Sequence, residues 1–305
     1  MSKNCLGQKP RYLELYTDGL LGIKVEQAQM HMEKCYLCPH ECGTNRTQDL
    51  GTCQGSAQAL VASYGPHLGE EDVLVGQRGS GTIFFGYCNM RCIYCQNYSL
   101  SFNGDGTLVS DEKLADIMLL LQNHYKCHNI NLVTPTHFVP NIINALYIAI
   151  GQGLKIPLVY NCGGYEKLET LKLLDGIVDI YMPDFKYNDP HRGEVYSQVV
   201  NYPARAKLAL KEMDRQVGGL KVDDRGIAYR GLLIRHLILP QGIGDTKEVL
   251  KFIKKELSRD CLVNLMNQYR PTHRAFECSE LAQHLRPSEY AQARDIALKL
   301  GLNLT

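Results

Sequence analysis

The sequence predicts an α/β fold, a curved and partly open (β/α)6 barrel preceded by a cysteine-rich N-terminal extension. Short apolar runs alternate with amphipathic stretches six times from Thr82 onward, the pattern of a parallel sheet with helices outside. Six strands are too few to close the eight-stranded barrel. The 305 residues are 45% hydrophobic, enough to core one large domain with an appendage, or two domains. Gly79-Ser80-Gly81 leads into the first apolar run, which divides the chain into residues 1–78 and 79–305.

Residues 1 to about 30 carry apolar clusters at Tyr12-Leu13 and Leu20 to Ile23, read as a helix pair packing on something larger. From Val61 to Gly81 the pattern is weak, and Gly65-Pro66 predicts a loop whose acids Glu70, Glu71 and Asp72 are solvated or face a partner. Thr82 to Phe85 is the first barrel strand. Ser110 caps a helix whose face runs Leu114, Ile117, Met118, Leu121. Strands are then expected at 129–133, 156–160, 177–182, 232–239 and 261–266. Their helices fall at 140–152, 168–174, within 204–217, and at 246–257 and 287–300.

Charge and composition exclude some classes. Lys+Arg 33 against Asp+Glu 32 leaves no net field for nucleic acid or anionic lipid. The opening Met1-Ser2-Lys3-Asn4 does not read as a secretory signal. The longest apolar stretch, around Ile142 to Ile150, contains Asn144 and is short for a bilayer span. Twelve cysteines therefore point to metal or redox use in a reducing cytoplasm rather than to disulfides.

Cys88, Cys92 and Cys95 form C-x3-C-x2-C immediately after the first strand. Three thiolates on one loop can hold a compact metal centre while leaving one position open, where a substrate can be bound and activated. A zinc knuckle, or three unconnected buried thiols, is the plainer alternative. Cys35, Cys38, Cys42 and Cys53 form a second set, with Gly43, Gly51 and Gly55 supplying turns. Four ligands close a coordination sphere, so structural zinc is expected there. A second iron–sulfur cluster is the competitor and metal-free thiols the remaining reading.

The strand, Gly86 and C-x3-C-x2-C together resemble the signature of the radical S-adenosylmethionine (SAM) superfamily. Tyr94 before the last cysteine and Gln96-Asn97 after it resemble the branch of glycyl-radical activating enzymes, in particular pyruvate formate-lyase activating enzyme-like proteins. The resemblance implies the partial barrel and a 4Fe–4S cluster on Cys88, Cys92 and Cys95. It also implies SAM chelated at the fourth iron and its reductive cleavage to a 5′-deoxyadenosyl radical that abstracts hydrogen. Reduced flavodoxin or ferredoxin would supply the electron, and a backbone glycine of a glycyl-radical enzyme would be the substrate.

Ligands of parallel sheets bind at the carboxyl ends of strands, which makes those ends the next places to read. At the second, Thr134-Pro135-Thr136-His137 stands where activating enzymes have Gly-Gly-Glu. Thr134, Thr136 or His137 then takes the SAM amino group, or the binding mode differs. His137 could equally be a loop residue without a role. The third end offers Asn161, Cys162, Gly163 and Gly164, with Cys162 a hydrogen-atom donor or a small buried filler. At the fourth, Asp184 and Lys186 share a strand face and resemble the Asp-x-Lys that contacts SAM, although a structural ion pair would look the same. On the fifth strand the resemblance turns Arg235 inward toward the SAM carboxylate and packs His236 under a helix. On the sixth, Asn264, Met266 and Gln268 could border adenine.

Two other functions remain open on the sequence alone. One is radical chemistry on a small molecule. The other is a non-catalytic metal scaffold or electron carrier.

Overall fold

The computed structural model describes residues 9–305; the residues read for a secretory signal, Met1 to Asn4, lie outside these. Among the described residues ten strands make one mixed sheet with a short ribbon at its side. They are β1 (Ala59–His67), β2 (Ser80–Phe85), β3 (Thr107–Val109), β4 (Ile130–Val133), β5 (Leu158–Cys162), β6 (Ile180–Pro183), β7 (Lys221–Val222), β8 (Ala228–Leu237), β9 (Leu262–Met266) and β10 (Asn303–Leu304). The order is β10-β9-β8-β6-β5-β4-β2-β1-β3, with β7 paired to β8. From β2 to β9 the neighbours on that path are all parallel, the expected partial (β/α)6 barrel. β1 runs antiparallel to both β2 and β3.

Alternate residues of each strand separate two cores. Leu132, Tyr160, Tyr181, Ile234 and Val263 join the outer helices in the larger core. Val159, Ile180, Met182 and Leu233 form the smaller, inner one with Leu74, a buried residue of the short helix Asp72–Val75. Each fully buried aliphatic side chain contributes about 1.5–3 kcal/mol. Four α-helices among the described residues begin with Pro at their first or second residue, where no N–H is needed.

The helix pair of the N-terminal stretch, Tyr12–Thr17 and Leu20–Glu33, packs onto the helix Val139–Gly151, with Tyr16 and Tyr147 rings 5.2 Å apart. The stretch expected as a loop from Val61 to Gly81 is instead largely ordered. It contains β1, whose Pro66 lies opposite Gly81 of β2 and beyond the reach of β3. Past Val61 only β2 pairs with β1, so the missing proline N–H faces an open edge. No helix among the described residues is long and apolar enough to cross a membrane.

Candidate active site

The carboxyl ends of the strands surround a cavity of about 270 Å³. Its lining includes Cys88, Cys92, Cys95, Thr134, Asn161, Asp184, Lys186 and Arg235. Eight of the residues expected at the site therefore meet in one place.

β2 ends at Phe85, and the backbone turns at Tyr87 (φ +63°) to deliver the three thiols. Hydrogen bonds meet each sulfur. The Met90 N–H donates to Cys88 Sγ at 3.3 Å, and hydroxyls stand 3.0 Å from Cys92 Sγ (Ser197) and 3.1 Å from Cys95 Sγ (Ser101). Behind Ser197 the hydroxyls of Tyr187 and Tyr94 continue the chain. Burial pushes the Cys88 and Cys92 thiols up, and Lys186 works against that rise.

Across the cavity Asp184 is the centre of an ion network. Its Oδ2 accepts from Lys186 Nζ at 2.6 Å and its Oδ1 from Arg235 Nε at 3.0 Å. Burial alone would raise the Asp184 carboxyl, but the two cations hold it below its ordinary value. Burial likewise pulls Lys186 down, and Asp184 followed by Cys92 lifts it well above the usual amine range. Arg235 Nη2 donates to Asn161 Oδ1 at 2.7 Å, and Nη1 lies 3.7 Å from the Glu70 carboxylate. The guanidinium is thus already engaged on three sides, and no bidentate fork faces the cavity free of protein partners.

His236 turns outward. Its Nδ1 donates to the Phe185 carbonyl at 2.6 Å and its Nε2 accepts from Thr246 Oγ1 at 2.9 Å. Tyr202 fixes the backbone of this strand end by accepting from the Lys186 N–H and lying 3.0 Å from the Gly163 and Asp184 carbonyls. Gly164 (φ +77°) lets the third strand end come this close, since a Cβ there would sit 2.3 Å from the Asp184 carbonyl oxygen.

The second strand end divides. Thr134 lines the cavity and holds φ at +59°, a strained conformation for a β-branched residue. Thr136 and His137 do not line it. Thr136 donates to buried Glu166 at 2.7 Å, and the His137 ring donates to the Gly86 carbonyl at 2.9 Å. The helical turn Thr136–Phe138 carries both side chains away from the cavity, so the expectation that His137 faces a cofactor is corrected. Met266 and Gln268 line the cavity, whereas Asn264 lies deeper and donates to Glu71.

Glu70 and Glu71, read as solvated loop acids, turn inward to Arg235 and Asn264. Their polar loop gave no sign of this. Ser101, Ser197 and the Tyr94–Tyr187 pair were also missed, because each reaches the thiol loop from another segment.

Cys35, Cys38, Cys42 and Cys53 gather outside this cavity, three of them buried. Among the described residues no three His, Cys, Asp or Glu side chains converge as a single bound ion requires. That holds for both thiol sets.

The family model described as "Radical SAM superfamily" matches residues 82–219, from the first barrel strand through the thiol loop and the Asp184 network. "Uncharacterized protein MJ0674" of Methanocaldococcus jannaschii is 32% identical over 96% of this chain and 82% of its own length. The chain belongs to the radical SAM superfamily. A radical SAM methyltransferase from Sphaerobacter thermophilus shares the fold at TM-score 0.51 and 11% identity, over 96% of this chain and 90% of that one. A domain of pyruvate-formate lyase-activating enzyme from Bacteroides vulgatus gives TM-score 0.41 at 14% identity, covering 55% of this chain and 90% of that one; that likeness does not decide the activase expectation.

Membership implies an enzyme that binds a 4Fe–4S cluster and SAM. The residues fit: three thiols share one cavity with a hydrogen-bonding group at each sulfur, and the Asp184, Lys186 and Arg235 ion network stands opposite.

Proposed function

We propose that this radical SAM enzyme uses the Cys88/Cys92/Cys95 loop to hold a 4Fe–4S cluster and the Asp184, Lys186 and Arg235 network to hold SAM. When bound, the pair supplies one-electron cleavage of the sulfonium and a 5′-deoxyadenosyl radical. The observation that carries this reading is the shared cavity, where the three thiols face Asp184 and Lys186. The Met90 N–H that donates to Cys88 and the Ser197 and Ser101 hydroxyls beside Cys92 and Cys95 set the charge that the sulfurs can bear. Asp184 fixes the Lys186 ammonium toward the thiols and the Arg235 guanidinium against Asn161. Thr134 and Asn161 border the remaining space, while buried apolar side chains below exclude water.

The substrate is a backbone glycine of a partner glycyl-radical protein, with reduced flavodoxin or ferredoxin as electron donor. Two features support a protein substrate. The Tyr94 and Gln96-Asn97 context resembles activating enzymes. Tyr98 and Phe276, beside the thiol loop, expose 41% and 67% of their surface, as a docking rim would. The N-terminal cysteines are a second metal site.

Anaerobic protein loaded with iron and sulfide, then given dithionite and SAM, should release 5′-deoxyadenosine, and Cys92→Ala should release none. Equal nucleoside from both would remove the thiol loop from the chemistry. A glycyl doublet in electron paramagnetic resonance of a co-incubated partner supports the activase. Nucleoside without a doublet for any candidate partner assigns the radical to a small molecule.

A further inference from the structure

The N-terminal thiols and one buried arginine carry an inference of their own. Arg46 exposes only 2% of its surface. Its Nε donates to the Gly55 carbonyl at 3.4 Å and its Nη1 to the His137 carbonyl, while Nη2 has no partner. No carboxylate among the described residues pairs with it. A guanidinium withdrawn from water without an anion is strongly destabilising. Cys35 and Cys53 are the anionic candidates within its electrostatic reach, and as neutral thiols they offset none of that cost.

The loops around it bring the thiols to one place. Gly43 N–H donates to the Cys35 carbonyl and Cys35 N–H to Thr44, closing the first loop. Gln54 N–H donates to Gly51 and Gly51 N–H to Gly55, closing the second. The sulfurs of Cys53 and Cys42 lie 3.5 and 3.7 Å from the point where a Gly51 Cβ would be. A side chain there would press on both.

Tetrahedral zinc, with Zn–S bonds of about 2.3 Å, needs its sulfurs on one point, about 3.8 Å from one another. Among the described residues no three His, Cys, Asp or Glu side chains are gathered for a single ion, either here or at Cys88, Cys92 and Cys95. The spacing C-x2-C-x3-C of Cys35, Cys38 and Cys42 is that of the catalytic loop reversed. Four thiolates spread around a larger inorganic core complete an iron–sulfur cluster.

We propose that Cys35, Cys38, Cys42 and Cys53 hold a second iron–sulfur cluster whose negative charge is balanced by buried Arg46. The site also touches the catalytic loop. His40 Nε2 is 2.8 Å from the Asn89 carbonyl, and His137, whose carbonyl binds Arg46, donates to Gly86.

The test uses full-length protein reconstituted anaerobically, and its readouts do not need SAM turnover. Wild type should bind about eight irons, as two four-iron clusters. The triple variant Cys88→Ala/Cys92→Ala/Cys95→Ala should keep about half, with a dithionite-reduced resonance indifferent to SAM. Cys38→Ala/Cys53→Ala should lose that resonance and keep the SAM-sensitive one. Zinc in place of iron in the triple variant, or no metal there, overturns the second cluster and leaves the catalytic reading intact. Absence of the SAM-sensitive signal from the double variant and wild type alike would instead remove the catalytic reading. Because the cysteine variants could unfold, Arg46→Met adds an independent measure. Its SAM-indifferent signal should titrate at a lower midpoint potential, since a lost cation no longer favours the reduced state. An unchanged midpoint overturns the counter-charge role.

Discussion

Asp184 joins two cations that would otherwise repel each other in a half-buried pocket. Asp184→Asn should therefore cost about 3 kcal/mol, the lower end for breaking a buried pair because the site is part-open; urea unfolding of the anaerobic protein measures it. A loss below about 1 kcal/mol would mean that solvent already screens the network. His236 gives a pH signature. Burial, which disfavours the charged ring, pulls its pKa down to about 4. Its contribution is present above pH 6.5, the ordinary value, and is lost as pH falls through about 4. His236→Gln should flatten the fall of Tm across that window. At this scale much was readable: Asp184 and Lys186 share a face because strand neighbours alternate, and that needs only their spacing. His137 was not readable, since a turn at Thr136–Phe138 rotated it out of strand phase.

Elements were legible where their signals are local. The helix Asp111–Asn123 begins after Ser110, whose hydroxyl accepts from the Lys113 N–H at 3.2 Å. Ser110→Ala should cost about 1 kcal/mol in thermal unfolding. Gly164→Ala should cost more and displace the Asp184 backbone, given the 2.3 Å approach and the positive φ; a Tm unchanged within a degree would contradict that close contact. Strand starts were less legible. The fourth barrel strand was expected from Ile177 but begins at Ile180, because Ile177 and Val178 still bond back to Leu174 as the end of a helical turn. β1 was hidden because Gly65-Pro66 reads as punctuation, and only its position at an open edge makes a proline acceptable there.

At the scale of the whole molecule, six local repeats specified the barrel, and no distant information was needed to count them. The pairings that finish the site span long stretches of chain: Arg235 to Glu70, Asn264 to Glu71, Arg46 to His137. No periodicity encodes such contacts, so they had to be seen. The same reasoning applies to the N-terminal helices, whose Leu21 and Ala28 are buried in the main core. Deleting residues 1–33 would bare the helix Val139–Gly151, and the truncated chain should elute as aggregate in size-exclusion chromatography.

Leu74 stoppers the barrel from below, in contact with the inward side chains of β5, β6 and β8. The plug backs the cavity at the carboxyl ends of the strands with apolar side chains rather than with water.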